Sequence, residues 1–376
     1  MPSLLIISHT KHYKTENGII VGWEPTVREI NHLTKLFDTI IHAAPLSFGI
    51  PHTANISYSS NKISFIPLIP TGGNGIIKKI GILFFMPINL IRIIKIIKKV
   101  EWVHFRAPTN LGLFVLPLLL LYKNKKKWFK YAGSWKQKSI PFSYRLQRWW
   151  LRNNFNNSIV TINGNWEKQN NHLLSFYNPC LTENELIDAN RIGTQKDFSD
   201  KLNLCFVGRL EKAKGFPALL DAFCNLSDKS WINKLHCVGE MTGNNYFKEL
   251  LSDNNISIQY HGILNRKELN KIYMGSHFII LPSLSEGFPK VLVEASSFGC
   301  IPIVPPIKSI LSQFNEEKQN CIVLKNTTPL GIKETIDSLQ FRMNEFSELS
   351  KNAMKGLNYF SYESYYKRIL SEIIQN

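Results

Sequence analysis

The sequence predicts an α/β protein of two doubly wound domains, each a parallel sheet covered by helices on both faces. Three observations carry this expectation. At 376 residues the chain is longer than one hydrophobic core usually supports. Short apolar, β-rich runs alternate with longer helical patterns. The alternation stops at a polar stretch near the middle and then starts again.

In the first half, strands are expected at 3–8, 39–43, 62–67, 102–105, 127–131 and 158–162, with helical patterns between them. Segment 9–22 reads as a long loop before a helix beginning near Glu24. Segment 111–122 is apolar but contains Pro117 and falls short of the roughly twenty residues that cross a bilayer, so it reads as a buried helix. The apolar stretch 4–7 is too short for a signal-peptide core. Residues 178–200 are polar, hold Pro179 and Gly193 and lack apolar periodicity, which marks the connection between domains. Strands are expected again at 202–207, 234–238, 256–260, 278–281, 301–304 and 321–324, and the pattern is helical from 347 on. The expected division is a first domain 1–180, a linker 181–201, a second domain 202–350, and a C-terminal helix 351–376 crossing back to the first.

With 44% hydrophobic and 19% charged residues, the composition is that of a globular protein. The formal net charge of +17 is unevenly placed: segment 78–152 holds 17 Lys and Arg against one acid, Glu101. Such a field suits nucleic acid, the anionic face of a membrane, or a solvated basic surface. Run 76–100 favours the membrane, because Ile, Leu, Phe and Met are interleaved with Lys78, Lys79, Arg92, Lys95, Lys98 and Lys99. Its alternative is one or two ordinary helices broken at Pro87 with basic faces in water. Trp149 and Trp150, beside Arg148 and Arg152, fit either a headgroup layer or the domain interior. An anionic membrane surface is therefore an expected partner and nucleic acid is not. The six cysteines are scattered without a Cys-x-x-Cys pair and read as reduced core residues, with neither a disulfide framework nor a metal site.

Two segments of the second half carry residue types suited to one ligand. Segment 206–217 follows an expected strand and opens a helix with Pro217 near its first position. Gly208 and Gly215 allow a flexible turn, and Arg209 and Lys214 would stand at the strand's carboxyl end beside a helix N-terminus. A diphosphate there gains charge-assisted hydrogen bonds and dipole stabilisation, although the turn taken alone is equally a solvated basic one. Segment 285–295 follows another strand, with Pro289 as helix start and Gly299 as helix stop. Glu286 then lies just before the helix and Glu294 inside it, roughly 7 to 8 Å along the axis from its start. A nucleotide sugar has hydroxyl-bearing rings on both sides of its diphosphate. One carboxylate on each side, with free N–H groups of a helix start between them, matches it end to end. Two isolated glutamates would read as surface residues, but Val291, Leu292, Val293, Ala295 and Phe298 leave little room for a solvated face.

Gly208-Arg-Leu, Lys214-Gly, Val238-Gly239, Tyr260-His-Gly-Ile-Leu264, Leu281-Pro-Ser283 and Glu286-Gly-Phe-Pro289 through Glu294-Ala295 span about 100 residues. In order and spacing they resemble the retaining glycosyltransferases of the GT-B fold, family four. The resemblance implies two facing Rossmann-like domains and a set of roles. Arg209 and Lys214 would contact the donor diphosphate, Glu294 the ribose hydroxyls and Glu286 the transferred sugar, with backbone contacts from Gly287, Phe288 and Pro289. The nucleobase would lie near Gly239, Gly262, Ile263 and Leu264. Metal is not expected, since two cations and a helix N-terminus replace it and no Asp-x-Asp is present. No cofactor is implied beyond the donor substrate, a UDP-, GDP- or ADP-sugar.

The sequence also departs from the family. Pro305-Pro306-Ile307 stands where a glycine pair is usual, and Gly133-Ser134-Trp135 where many members carry a histidine. In the opening segment only Gly22 can take the part of the usual Gly-Gly turn. Arg106, at the end of an expected strand, reads either as an acceptor contact facing the cleft or as a structural ion pair; His9 and His261 read as loop or core histidines.

The expected activity is transfer of a sugar, with retention, to a hydroxyl of a lipid-linked or oligosaccharide acceptor in surface polysaccharide assembly, such as lipopolysaccharide or capsule. The expected location is cytoplasmic, peripheral on the inner face of the membrane. A nucleotide-sugar epimerase of similar fold would need an acid and base pair that the sequence does not display. A noncatalytic membrane-associated nucleotide-sugar binder would keep Glu294 and Arg209 yet show no turnover.

Overall fold

In a computed structural model of the chain, Met1–Tyr177 and Ser364–Asn376 form one unit and Asn178–Glu363 a second. The structure describes residues 2–71, 76–133, 135–136, 140–164, 166, 169–241 and 257–375. Ser134 and the side chains of Lys78 and Lys79 lie outside the described set.

Unit 1 is built on seven parallel strands: β1 (Ser3–Ile7), β4 (Thr39–Pro45), β6 (Ile63–Leu68), β7 (Trp102–Ala107), β8 (Lys126–Tyr131), β9 (Ile159–Ile162) and β10 (Leu173–Ser175). Their spatial order is β10-β9-β8-β7-β1-β4-β6. Leu4 to Ile7 of the central strand are fully buried, which is why β1 reads as a continuous apolar run. Alternate residues feed two cores, Leu5, Ile7 and Phe105 on one face and Leu4, Ile6 and Trp102 on the other. Helix α1 (Glu24–Leu33) precedes β4, α2 (Ile76–Ile97) leads from β6 to β7, α3 (Gly112–Leu118) from β7 to β8, and α4 (Phe142–Arg152) from β8 to β9. The last three crossovers all step the same way across the sheet, so right-handed connections place α2, α3 and α4 on one face. There Ile93, Val115 and Leu151 join the first core, while Ile30 and Leu33 of α1 join the second.

Several local expectations are corrected. Segment 9–22 is a hairpin of β2 (His12–Lys14) and β3 (Ile20–Trp23), extended by β5 (Asn55–Ser57) into a small antiparallel sheet. Gly22 is therefore paired with His12 and Ile56 inside a strand and does not form a turn before α1; a Cβ there would meet the His12 ring. Helix α2 runs through Pro87. Proline removes one backbone hydrogen bond, and the helix is held across it by buried Met86 and Ile93 and by the Asn89 amide, which bonds both the N–H (2.8 Å) and the carbonyl (2.9 Å) of Ile69. The apolar run 111–122 is only half buried: Val115, Leu116 and Leu119 face the core, whereas Leu121 faces solvent.

The polar stretch 178–200 contains a regular helix, α5 (Glu183–Gly193). Its start is fixed by a reciprocal cap in which Thr182 Oγ1 accepts from the Glu185 N–H (3.1 Å) and Glu185 accepts from the Thr182 N–H (2.7 Å). Leu186, Ala189 and Gly193 supply its buried side. The chain then forms the parallel strands β11 (Leu202–Val207), β12 (Ile232–Val238), β13 (Ile258–Gly262), β14 (Phe278–Ile280), β15 (Ile301–Val304) and β16 (Ile322–Val323). The tail is not one helix. After α6 (Phe216–Cys224), α7 (Arg266–Gly275), α8 (Lys290–Ser297), α9 (Lys308–Leu311) and α10 (Pro329–Leu339) come α11 (Phe346–Ala353), a left-handed Gly356 (φ 71°) and α12 (Tyr362–Ile369). Tyr365, Ile369 and Ile373, spaced by one helical turn, join the second core of unit 1.

That closing segment is also held by charge. Glu29, its side chain only 1% exposed, lies 3.1 Å from Arg106 Nη1 and 2.8 Å from Lys130 Nζ. It also accepts a hydrogen bond from the Tyr365 hydroxyl at 3.1 Å. Removing a carboxylate from such a buried cluster strands its cations. Glu29→Ala should therefore lower the stability of unit 1 by about 3–5 kcal/mol, measured as a reduced denaturant midpoint.

Four further side chains form a buried relay. Tyr58 Oη is bonded to His42 Nδ1 (2.6 Å) and His12 Nε2 (2.9 Å), His42 Nε2 to Ser8 Oγ (2.8 Å), and His12 Nδ1 to the Thr10 carbonyl (2.8 Å). One set of neutral tautomers satisfies all of these: His12 donates to Thr10, Tyr58 to His12, His42 to Tyr58 and Ser8 to His42. Burial holds His12 down at about 4, and burial reinforced by nearby cationic groups holds His42 well below its ordinary value. Burial also lowers His104 to about 3. The unfolded chain accepts these protons near the ordinary value of 6.5 and the folded one does not, so the unfolded state binds more protons as pH falls. Stability should be complete above pH 6.5 and fall progressively between 6.5 and 4, as followed by urea melts across that range.

Candidate functional site

The sheet of unit 2 has the order β13-β12-β11-β14-β15-β16. Strands after β11 are added on one side and, from β14, on the other, so the order reverses between these two central strands. Ligands of doubly wound sheets bind at the carboxyl ends beside such a switch point. The loops that follow β11 and β14 are the two segments singled out in the sequence.

Their backbones are in direct contact. After β11 a single helical turn (Lys212–Lys214) ends at Gly215, which has φ 72° and precedes α6. A Cβ on Gly215 would run into the carbonyl of Pro282 in the loop after β14. Gly239, with φ 139° at the end of β12, packs against the Gly208 carbonyl in the same way. The Gly239 N–H donates to the Gly262 carbonyl (2.8 Å), and the Leu284 N–H to the Ala213 carbonyl (3.1 Å). The ends of β11, β12, β13 and β14 are thus joined by backbone alone.

This juxtaposition brings Lys214 Nζ to 2.6 Å from Glu286 Oε1, with the Glu286 side chain 9% exposed. The Glu286 carbonyl accepts from Ser309 Oγ at 2.9 Å. Arg209 is placed differently: its guanidinium is largely exposed and pairs with Glu211 at 3.0 Å. Helix α8 starts after Pro289, and Glu294 is its fifth residue. Gly287, Phe288 and Pro289 form the connection into α8, with the Phe288 ring turned inward onto Phe360 (4.9 Å) and only the backbone of this stretch left for a ligand. Gly262 ends β13, and Ile263 and Leu264 lead from it toward α7.

Glu294 has partners that the sequence reading missed. Arg266 Nη1 lies 2.9 Å from its Oε1, and the Tyr273 hydroxyl donates to its Oε2 at 3.4 Å. Arg266 is the first residue of α7, whose cap pairs Asn265 with Glu268. The Asn-x-x-Glu signature was legible and would have placed Arg266 at a helix start, but not opposite Glu294. His261 Nε2 is bonded to His236 Nδ1 (3.0 Å), and burial lowers both imidazoles, His236 to about 4. In unit 1, Arg106 shows the ion-pair alternative, bound to Glu29.

Two doubly wound units in one chain make up the GT-B fold. Residues 190–355, which lie in the second unit, match the family described as glycosyl transferases group 1. The chain is 28% identical over 188 residues to an uncharacterised glycosyltransferase of Haemophilus influenzae, covering 48% of each chain. It is 30% identical over 105 residues to an uncharacterised 41.2 kDa protein in the cps region of Klebsiella pneumoniae, covering 28% of this chain and 27% of that one. The chain thus spans half or less of the length of these curated relatives. Among solved structures, sucrose-phosphate synthase from Thermosynechococcus elongatus shares the fold at TM-score 0.72 and 14% identity, covering 100% of this chain and 99% of that one. Anabaena HepE in complex with UDP and glucose shares it at TM-score 0.68 and 12% identity, with both chains covered at 100%.

The backbone contact at Gly239 is directly testable. Gly239→Ala should lower the stability of unit 2 by about 1–3 kcal/mol, measured as a reduced denaturant midpoint. Gly275→Ala, where an added Cβ meets nothing within 4 Å, should not.

Proposed function

We propose that the chain is a retaining glycosyltransferase that moves a sugar from a nucleoside diphosphate sugar to a hydroxyl of a lipid-linked glycan in surface polysaccharide assembly. It would work peripherally at the inner face of a membrane. The observation that carries the reading is the Lys214–Glu286 pair at 2.6 Å, set at the switch point beside the start of α8, with Glu294 held on the same helix by Arg266. Support for the donor comes from HepE, which shares the fold and whose structures contain UDP and UDP-glucose. Support for the glycan comes from the relative in a cps region.

In this reading the leaving diphosphate takes up negative charge as its bond to the sugar breaks. Lys214, Arg209 and the backbone N–H groups at the start of α8 meet that charge in a preorganised way. Glu286 binds the transferred sugar and Glu294 the ribose hydroxyls, while Gly239 and Gly262 to Leu264 border the base. The leaving phosphate oxygen accepts the proton of the acceptor hydroxyl on the same face, so no protein nucleophile is required.

A thermal-shift screen over UDP, GDP, ADP and CMP identifies the donor base, since a bound nucleotide stabilises according to its concentration over its affinity. With that donor labelled and a membrane lipid extract as acceptor, Arg209→Ala, Lys214→Ala and Glu294→Ala should each lower kcat/KM about tenfold or more at unchanged circular dichroism. Wild-type turnover by all three overturns the assignment. Isomerised donor without acceptor would identify an epimerase, and binding without turnover a noncatalytic binder.

A further inference from the structure

Helices α2 and α4 each carry a stripe of large apolar side chains on the side that faces solvent. Helix α2 buries Met86, Ile93 and Ile97 against the sheet, while Phe84, Ile88 and Ile91 on its other side are exposed by 76%, 42% and 54%. Spacings of four and three put these on one stripe of the helix. Helix α4 repeats the arrangement: Leu151 is buried, and Phe142, Leu146 and Trp149 are exposed by 71%, 37% and 52%. A helix apolar on all sides is normally covered on all sides, and contiguous exposed apolar surface marks an interaction site.

Charge decides what covers it. Exposed Lys95, Lys98 and Lys99 continue the α2 stripe, and exposed Arg145 and Arg152 flank that of α4. Glu101 is the only acid in the whole of 78–152. Among the described residues, no helix is long and apolar enough to cross a membrane.

We propose that this face is a docking surface for an anionic lipid bilayer, its apolar stripes entering the boundary between headgroups and acyl chains and its cations meeting lipid phosphates. A second copy of the chain would cover the stripes but bring two fields of like charge together. A polynucleotide would satisfy the cations and leave the stripes in water. Trp149, packed on Phe155 with ring centroids 5.0 Å apart, has the amphipathic character that settles at headgroup depth. The surface gives the membrane part of the preceding reading a location, and it belongs to unit 1, whereas the proposed donor site belongs to unit 2.

The test is cosedimentation of the full chain with vesicles of phosphatidylcholine alone or mixed with phosphatidylglycerol. The wild type should bind the mixed vesicles at least about tenfold more tightly than the neutral ones. K98E/K99E should weaken that binding by roughly 25-fold, about fivefold for each cation lost. Phe84→Ser with Trp149→Ser should weaken it by about tenfold and abolish what binding survives high salt. Nucleotide-induced thermal shifts should stay at wild-type size in both variants, so that loss of docking and failure of the donor reading are separately visible. Equal binding to both vesicle types, or unchanged binding in both variants, overturns the proposal. A concentration-dependent dimer lost in the apolar variant would assign the face to self-association instead. Oligonucleotide binding lost only in K98E/K99E, with no vesicle binding, would assign it to nucleic acid.

Discussion

The candidate site depends on a backbone contact. Gly239 lies against the Gly208 carbonyl and Gly215 against the Pro282 carbonyl, so the ends of the central strands of unit 2 are packed without intervening side chains. Any Cβ at those positions would force the loops apart, and the loops carry Arg209, Lys214 and Glu286. A separation of even 1 Å would loosen a charge-assisted contact of 2.6 Å, whose strength falls steeply with distance and geometry. Rigid strands at a switch point supply the frame, and glycine supplies the tolerance.

Three deeply placed carboxylates are matched to cations: Glu286 to Lys214, Glu294 to Arg266, and Glu29 to Arg106 and Lys130. Burial of an isolated charge is costly, so such groups persist where partners compensate them. The three pairs differ in what surrounds them. Glu29 is enclosed between the sheet, α1 and the returning C-terminal segment, which suits a fastening. Lys214 is partly open to solvent at the carboxyl edge of the sheet. Glu294 sits deeper and keeps two partners that orient its carboxylate from one side.

Unit 1 uses its hydrophobic residues for two purposes. The sheet side of the α2, α3 and α4 layer builds a core in the ordinary way, while the outer side repeats the same residue types at exposed positions. Folding of the unit accounts only for the first set. The second set, with its surrounding cations, is the surface proposed to dock on an anionic bilayer.

By itself the sequence determined the alternation of strands and helices, because hydrophobic period and turn residues are local properties. The expected strands begin and end within two residues of expectation where they are described, whereas β10, at the edge of the first sheet, was not among them. The sequence also marked the two segments that meet at the switch point of unit 2: glycines after β11, and Glu286 and Glu294 on either side of a helix start at Pro289, are read from spacing alone. It overlooked short elements whose stability comes from elsewhere. The β2–β3 hairpin is completed by β5, about thirty residues on, and α5 is stabilised by its cap and by burial of a few small residues in unit 2. Only the tertiary structure decided the partners. Arg266 meets Glu294 across 28 residues, Glu29 meets Arg106 across 77 and Tyr365 across 336, and no local pattern encodes such distances. The same holds for the apolar stripe of α2: period and composition announce a helix, but which of its apolar side chains rest on the sheet and which face solvent is decided only by its packing in the crossover from β6 to β7.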